Sequence, residues 1–338
     1  MEVPLVVILG AGASRGSANY ARRLCPPLTV DLFDEEIYGD LLEMYDMAHQ
    51  AGRFIGRERT GNSALALEHV LSELRTSEFV HHRQMAVAVP PYLQHLLHSV
   101  SDAHYRKAFR YDHLIERLLR LPYVYFVTLN YDVLLDRRLA SHHPLRDLDD
   151  YIARGKKWSL IKLHGSVNWY RKTVERFRLA SPPAFLSWNK EEFGCVAPDT
   201  PLDAIRGQSS AGLTRRYPAL ALPEGPDDQL VLPSQHLEFL KQGLSGAPQI
   251  DLLVLGYSGL DHQVLKLLSK RKSDVRRMTI VNSDYLAAVE VNDRLQGAGV
   301  RAVWPEMFDG DFAGWVDDGH LDRLVDEYGG PYRNAMTA

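Results

Sequence analysis

Cysteine is scarce: Cys25 and Cys195 are the two in 338 residues. Two thiols cannot build a disulfide framework, and the scarcity fits a reducing, cytoplasmic setting. They also cannot form a four-cysteine zinc ribbon, so no zinc is expected. Long hydrophobic runs are missing as well. The apolar start, MEVPLVVILGAGAS, is short, lacks a basic flank and runs into glycines. It reads as a buried strand, not a leader, and nothing else approaches the roughly 20 apolar residues of a membrane span. No membrane association is expected. Charge of one sign is not in excess either, with 39 Lys and Arg against 43 Asp and Glu. The net charge of −4 gives no global drive toward nucleic acid or anionic lipid. No internal repeat or low-complexity tract stands out.

What is present is an ordinary globular composition, 45% hydrophobic and 24% charged, on a chain long enough for a sizeable core. Short β-rich apolar runs occur at Leu5–Leu9, Tyr123–Leu129, Ser159–Leu163, Asp251–Leu255 and Met278–Val281, with a weaker one at Val300–Trp304. Runs of this length bounded by Gly, Asn or Asp predict buried parallel strands. With helical patterns between most of them, the fold class is α/β: a Rossmann-like, doubly wound, mostly parallel sheet. From Asp34 to Arg120 the pattern is helical, as in Glu36–His49, Ala64–Leu74 and Arg106–Leu119. This predicts a helical subdomain over 35–120, inserted into a Rossmann domain made of 1–34 and 121–320. Residues 171–235 carry Pro182, Pro183, Pro198, Pro201, Pro218, Pro223 and Pro226. They predict an irregular, loop-rich segment within the Rossmann part, a candidate gate over the pocket. Asp261 and Ser283 or Asp284 stand where helix N-caps are expected, and Gly297 where a helix should end.

The first strand runs into Gly10-Ala11-Gly12-Ala13-Ser14. Glycines there let backbone N–H groups approach a pyrophosphate. The full G-x-G-x-x-G fingerprint fails at Arg15, and no second strand with a ribose-binding acid follows at βαβ distance, so an ordinary dehydrogenase is disfavoured. The second strand leads into Thr128-Leu129-Asn130-Tyr131-Asp132 and the third into Lys162-Leu163-His164-Gly165-Ser166. Ligands of open α/β sheets sit outside the carboxyl ends of the strands, so Asn130, Asp132 and His164 are expected to converge near the glycine turn. Taken singly, Asn130 or Asp132 reads equally as a helix cap and His164 as a turn residue. The later strands lead into Gly256-Tyr257-Ser258-Gly259-Leu260-Asp261 and Asn282-Ser283-Asp284. Their small polar residues suit ribose and adenine. Leu260 breaks the G-x-S-x-G elbow, which argues against Ser258 as a nucleophile.

Taken in order, GAGAS, TLNYD, KLHGS, GYSGLD and IVNS resemble the sirtuin superfamily, most closely the bacterial sirtuin-like NADases of anti-phage defence. The PPLT run at Pro26–Thr29 resembles the same branch. The resemblance implies catalytic positions at Asn130 and His164, with Asp132 at the nicotinamide carboxamide. It implies phosphate contacts at Ala11, Gly12, Ala13 and Ser14, and adenosine contacts at Gly256, Ser258 and Asn282. Gly10, Thr128, Gly165 and Tyr257 complete the expected NAD-binding set. Deacetylating sirtuins carry a zinc ribbon and a G-I-P-D-F-R run; this chain reads RGSANYARR there. What remains is cleavage of the nicotinamide–ribose bond of NAD, the substrate, with water as acceptor, leaving open whether cyclic ADP-ribose also forms.

An NADase must be restrained in its own cell. The resemblance therefore implies a homo-oligomer, or a partner that senses infection, such as a HerA-type ATPase or an Argonaute-type sensor. Two other readings stand beside it. Lys270, Arg271, Lys272, Arg276 and Arg277 form a basic cluster, and His95 and His98 lie one helical turn apart, which leaves open a nucleic-acid-binding or nuclease subunit. A catalytically silent sensor of NAD or ADP-ribose is the third.

Overall fold

The computed structural model describes residues 3–19, 25–57, 63–104, 107–152, 155–179, 181–221, 230–270 and 274–329. The chain opens with β1 (Leu5–Leu9) and a six-residue helix α1 (Ala11–Gly16). Five helices follow: α2 (Glu35–Glu43), α3 (Asp46–Arg57), α4 (Ser63–Thr76), α5 (Val80–His104) and α6 (Phe109–Leu118). Next come β2 (Val124–Thr128), α7 (Leu134–Leu139), α8 (Leu148–Tyr151) and β3 (Trp158–Lys162). β4 (Gly165–Phe177), β5 (Trp188–Cys195), α9 (Leu202–Arg206), β6 (Thr214–Leu220) and α10 (Ser234–Gly246) fill the middle. The rest alternates regularly: β7 (Gln249–Leu255), α11 (His262–Ser269), β8 (Asp274–Val281), α12 (Tyr285–Gly297), β9 (Ala302–Phe308), α13 (Phe312–Asp317) and α14 (His320–Gly329).

Six of these strands form one parallel sheet in the order β3-β2-β1-β7-β8-β9. Every residue of β1 and β3 is buried, so both faces of the sheet are covered there. That is why LVVIL is apolar at every position rather than at alternate ones. The chain builds outward from β1 through β2 to β3, then returns to the other side of β1 as β7. The strand order reverses between β1 and β7, and this Rossmann-like topology opens a crevice at their carboxyl ends.

The helical stretch after β1 is present, with its own core of Leu42, Ile55, Leu71, Val89, Tyr92, Leu93 and Leu96. Val133 and Val167 join that core from the sheet side. The stretch expected over 35–120 does not pack as one unit, because Leu114, Ile115 and Leu118 of α6 belong to the core around the sheet. Glu36–His49, read as one helix, is divided between α2 and α3.

Residues 171–235 depart most from expectation. In place of loops, β5, β4 and β6 form a three-stranded antiparallel sheet. Proline was the misleading signal. Pro218 lies in β6, an edge strand, where a residue without an N–H is tolerated. Pro223 and Pro226 lie outside the described residues. No described helix is long and apolar enough to cross a membrane.

His236, on α10, is fully buried and packs against the rings of Tyr151 and Trp169. Its Nε2 lies 2.8 Å from the Leu148 carbonyl oxygen. Burial pushes its pKa down from 6.5 to about 4, against the pull of the Leu148 bond and of Asp149. A folded value below the unfolded one means that this contribution is complete above pH 6.5 and is lost as pH falls toward 4, by up to about 3 kcal/mol. His236→Gln keeps a donor for the carbonyl and cannot take up the proton. Urea unfolding at pH 7 and pH 4.5 should show a smaller acid loss in this variant than in the parent; equal losses would remove His236 as a cause.

Candidate functional site

The crevice is a cavity of about 680 Å³, within the roughly 300–1,000 Å³ typical of ligand pockets. Its floor is the switch point. Gly10 N–H donates to the Leu255 carbonyl at 3.0 Å and Gly12 N–H to that of Gly256 at 3.1 Å. The two turns touch backbone to backbone. A Cβ on Gly10 would meet the Gly256 oxygen at 2.4 Å, and Gly256, at φ +56°, would drive its own Cβ to 2.3 Å from Ala13 N. Only glycine permits this approach.

Above that floor, four side chains form one buried hydrogen-bond cluster. Ser14 Oγ donates to Asp132 Oδ2 at 2.7 Å and receives Asn130 Nδ2 at 3.0 Å. The Tyr111 hydroxyl lies 3.0 Å from the same oxygen. A serine hydroxyl has one proton and two lone pairs, so these contacts occupy it fully. The other proton of Asn130 Nδ2 goes to the Gly10 carbonyl at 2.9 Å. Asp132 Oδ1 accepts from Leu134 N–H at 3.0 Å. Burial raises the Asp132 carboxyl above its ordinary 3.8, although Lys162 and the Ser14 bond pull the other way. Beneath lies an ion pair with no solvent contact: Lys162 Nζ donates to Asp136 Oδ2 at 2.8 Å and to the Asp132 carbonyl at 2.6 Å. Such a pair holds its geometry because losing either partner would strand a buried charge.

His164, half-buried at the carboxyl end of β3, reaches across the crevice. Its Nε2 lies 2.6 Å from Asp261 Oδ2. Asp261 Oδ1 caps α11 by accepting from Val264 N–H at 2.8 Å. Burial works to raise the Asp261 carboxyl, but the His164 bond and charge, with the backbone N–H groups of Val264 and Gln263, outweigh it, and its pKa is lowered from 3.8. An ionised Asp261 can only accept, so the proton it shares with the ring sits on Nε2, and in the neutral tautomer Nδ1 is then the acceptor.

The structure brings together most of the residues expected from sequence. Gly10, Ala11, Gly12, Ser14, Asn130, Asp132, His164, Gly256, Tyr257, Ser258 and Asn282 all line the cavity. Ala13, Thr128 and Gly165 do not. Ala13 is fully buried; Thr128 Oγ1 bonds the Leu9 carbonyl and receives Asn130 N–H; Gly165, at φ +80°, lies against the Ala219 carbonyl. The phosphate cradle expected from four amides is also reduced, since Gly12 N–H serves Gly256 and Ala13 N–H serves the Gly10 carbonyl. Asp261 was legible only as a helix cap. Tyr111 gave no signal at all, because α6 lies far from β1 in sequence.

Part of what lies behind the nucleic-acid reading is paired within the protein: two of the five basic residues and both histidines. Arg276 Nε donates to Asp251 at 3.1 Å and Arg277 to Glu327 at 2.9 Å, while Arg271 and Lys272 lie outside the described residues. His95 meets the Tyr45 hydroxyl and His98 the Thr200 carbonyl. Among the described residues no group of three or more His, Cys, Asp or Glu is placed to hold a metal ion.

No protein-family model matches the chain, and no curated protein matches it. Among solved structures it is similar to a Sir2 homologue in complex with NAD, at 13% identity over 95% of this chain and 90% of that one, with a TM-score of 0.39. A mutant Sir2 homologue with ADP-ribose matches at 13% identity over 96% and 92%, TM-score 0.40. A Sir2 complex with an inhibitor, 2′-O-acetyl-ADP-ribose and a deacetylated peptide matches at 13% over 96% and 94%, TM-score 0.40.

Gly10→Ala tests the floor. The added methyl has only Gly256 backbone to displace, so a loss of about 1–3 kcal/mol is expected by thermal unfolding. Gly39→Ala, with nothing within 4 Å of its new Cβ, is the control and should lose nothing. Equal stability in both variants would show that the turns can part.

Proposed function

We propose that this chain hydrolyses NAD at the nicotinamide–ribose bond, releasing nicotinamide and ADP-ribose. The observation that carries the reading is the Asp261–His164 pair facing a dinucleotide-sized cavity at the switch point of a doubly wound sheet. The ordered motifs GAGAS, TLNYD, KLHGS, GYSGLD and IVNS, with their resemblance to sirtuin-like NADases, support the same chemistry.

Nicotinamide leaves as a neutral base, taking the electron pair of the C1′–N1 bond. The sugar passes through an oxocarbenium-like state, and water closes on C1′. The residues divide the work. His164 Nδ1 takes the proton from water or from a ribose hydroxyl and returns it to solvent, while Asp261 holds the ring in one tautomer. Asn130 ties the end of β2 to the glycine turn, which leaves its carbonyl oxygen as the group it can offer the carboxamide. Asp132 anchors Ser14 and faces the same region. Tyr257, Ser258 and Asn282 line the adenosine end. The Rossmann part, 1–34 with 121–320, carries the dinucleotide, and α4 and α5 close its apolar side. In the cell the activity serves anti-phage defence by depleting NAD, restrained by self-assembly or by an infection-sensing partner.

The test is purified protein incubated with NAD over a range of protein concentrations, with free nicotinamide followed by chromatography. His164→Ala should lower kcat by roughly 10²–10⁴-fold. Asp261→Asn should lower kcat by a smaller factor and leave KM nearly unchanged, since its role is to orient the ring. Wild-type protein that binds NAD at every concentration without releasing nicotinamide would make the chain a silent sensor instead. Full release by His164→Ala would take His164 out of the reaction.

A further inference from the structure

A pyrophosphate brings two negative charges into this cavity, yet the charged groups that line it are mostly acids. Asp132 is buried, Asp261 is paired with His164, and Asp311 caps α13 by accepting from Gly314 N–H at 2.9 Å. The turn amides of Gly12 and Ala13 are engaged within the protein, and the Ser14 hydroxyl is saturated. Arg15 is the one lysine or arginine among the described residues that line the cavity. It directly follows the glycine turn on α1.

Arg15 is already paired. Its Nη1 lies 2.5 Å from Asp31 Oδ2, with side chains 42% and 25% exposed. The same Asp31 oxygen accepts from Leu28 N–H at 3.1 Å and so closes the helical turn Thr29–Asp31. That turn belongs to the run Pro26–Phe33, which forms one wall of the cavity. A half-exposed pair of this kind is held loosely. Guanidinium bonds phosphate with a matched two-pronged geometry and at higher charge, so a diphosphate outbids a single carboxylate for it.

We infer that Arg15 is the pyrophosphate-binding residue of this cavity and that Asp31 is its internal competitor, holding the guanidinium until a diphosphate displaces it. Ligand arrival then frees Asp31 and loosens the Pro26–Phe33 wall from α1. This rests on the dinucleotide reading of the cavity, though not on its hydrolytic step.

The experiment is calorimetric titration of ADP-ribose, which is not turned over, into the full chain and three variants. Arg15→Gln should bind roughly ten- to a hundredfold more weakly, the loss expected for a charge-assisted contact. Arg15→Lys keeps the charge without the fork and should fall between the two. Asp31→Asn retains the oxygen that Leu28 needs and removes only the charge; it should bind roughly two- to fivefold more tightly. Thermal midpoints establish that each variant is folded, and Asp31→Asn decides the competition even if Arg15→Gln does not fold. Wild-type protein that fails to bind ADP-ribose sinks the dinucleotide reading itself. Wild-type binding that Arg15→Gln leaves unchanged sinks only the role of Arg15. Weakening by Asp31→Asn would make Asp31 a support for Arg15 and overturn the competition.

Discussion

Everything in the crevice depends on two backbones touching. Gly10 and Gly12 at the end of β1 lie against Gly256 at the end of β7 with no room for a Cβ between them. That contact sets how far the two halves of the sheet spread at the point where their order reverses. It also uses amide donors that a looser turn would leave for a ligand, since Gly12 N–H is drawn to the Gly256 carbonyl. A close floor and a free phosphate cradle are alternatives here, and the molecule has taken the first.

The same trade runs through the polar residues above. Ser14, Asn130, Asp132 and Tyr111 form a buried cluster in which Ser14 is fully bonded and both amide protons of Asn130 are engaged. A buried network of this kind is rigid when satisfied and costly when broken. Its value to the site is positional: it fixes where the ends of β1 and β2 lie. The groups left to act on a ligand are those with an unengaged atom at the cavity wall, chiefly the Nδ1 face of His164, and those in exchangeable pairs, chiefly Arg15. Reading function from strand ends alone merges these two populations.

This explains what the sequence disclosed. The parallel strands were legible because a doubly covered strand must be apolar throughout, and LVVIL and SLIKL leave little else to read. The polar ends of those strands were legible for the same topological reason, and Asn130, Asp132, His164 and Asn282 do meet at one cavity. The antiparallel sheet of β4, β5 and β6 was not, because an edge strand such as β6 tolerates Pro218 and a half-covered sheet interleaves charge with apolar residues. Pairings across long sequence distances left no trace either: Asp261 with His164, Tyr111 with Ser14, and Asp136 with Lys162 each join elements that only the fold brings together.

The helices between β1 and β2 complete the cavity rather than decorate it. Leu71 of α4 and Val89, Leu93, Leu97 and Val100 of α5 line the same cavity as His164 and Asp261 and supply apolar surface to it. Their own core reaches Val133 and Val167 beside the strand ends, so the wall is packed onto the sheet. An apolar wall facing a few convergent polar groups lowers the local dielectric and strengthens each charge interaction across the crevice. Burial alone would raise the Asp261 carboxyl; the close His164, together with the backbone N–H groups of Val264 and Gln263, reverses the direction. Helices α4 and α5 thus shape the cavity by giving it an apolar wall, without supplying any of its charged or polar groups.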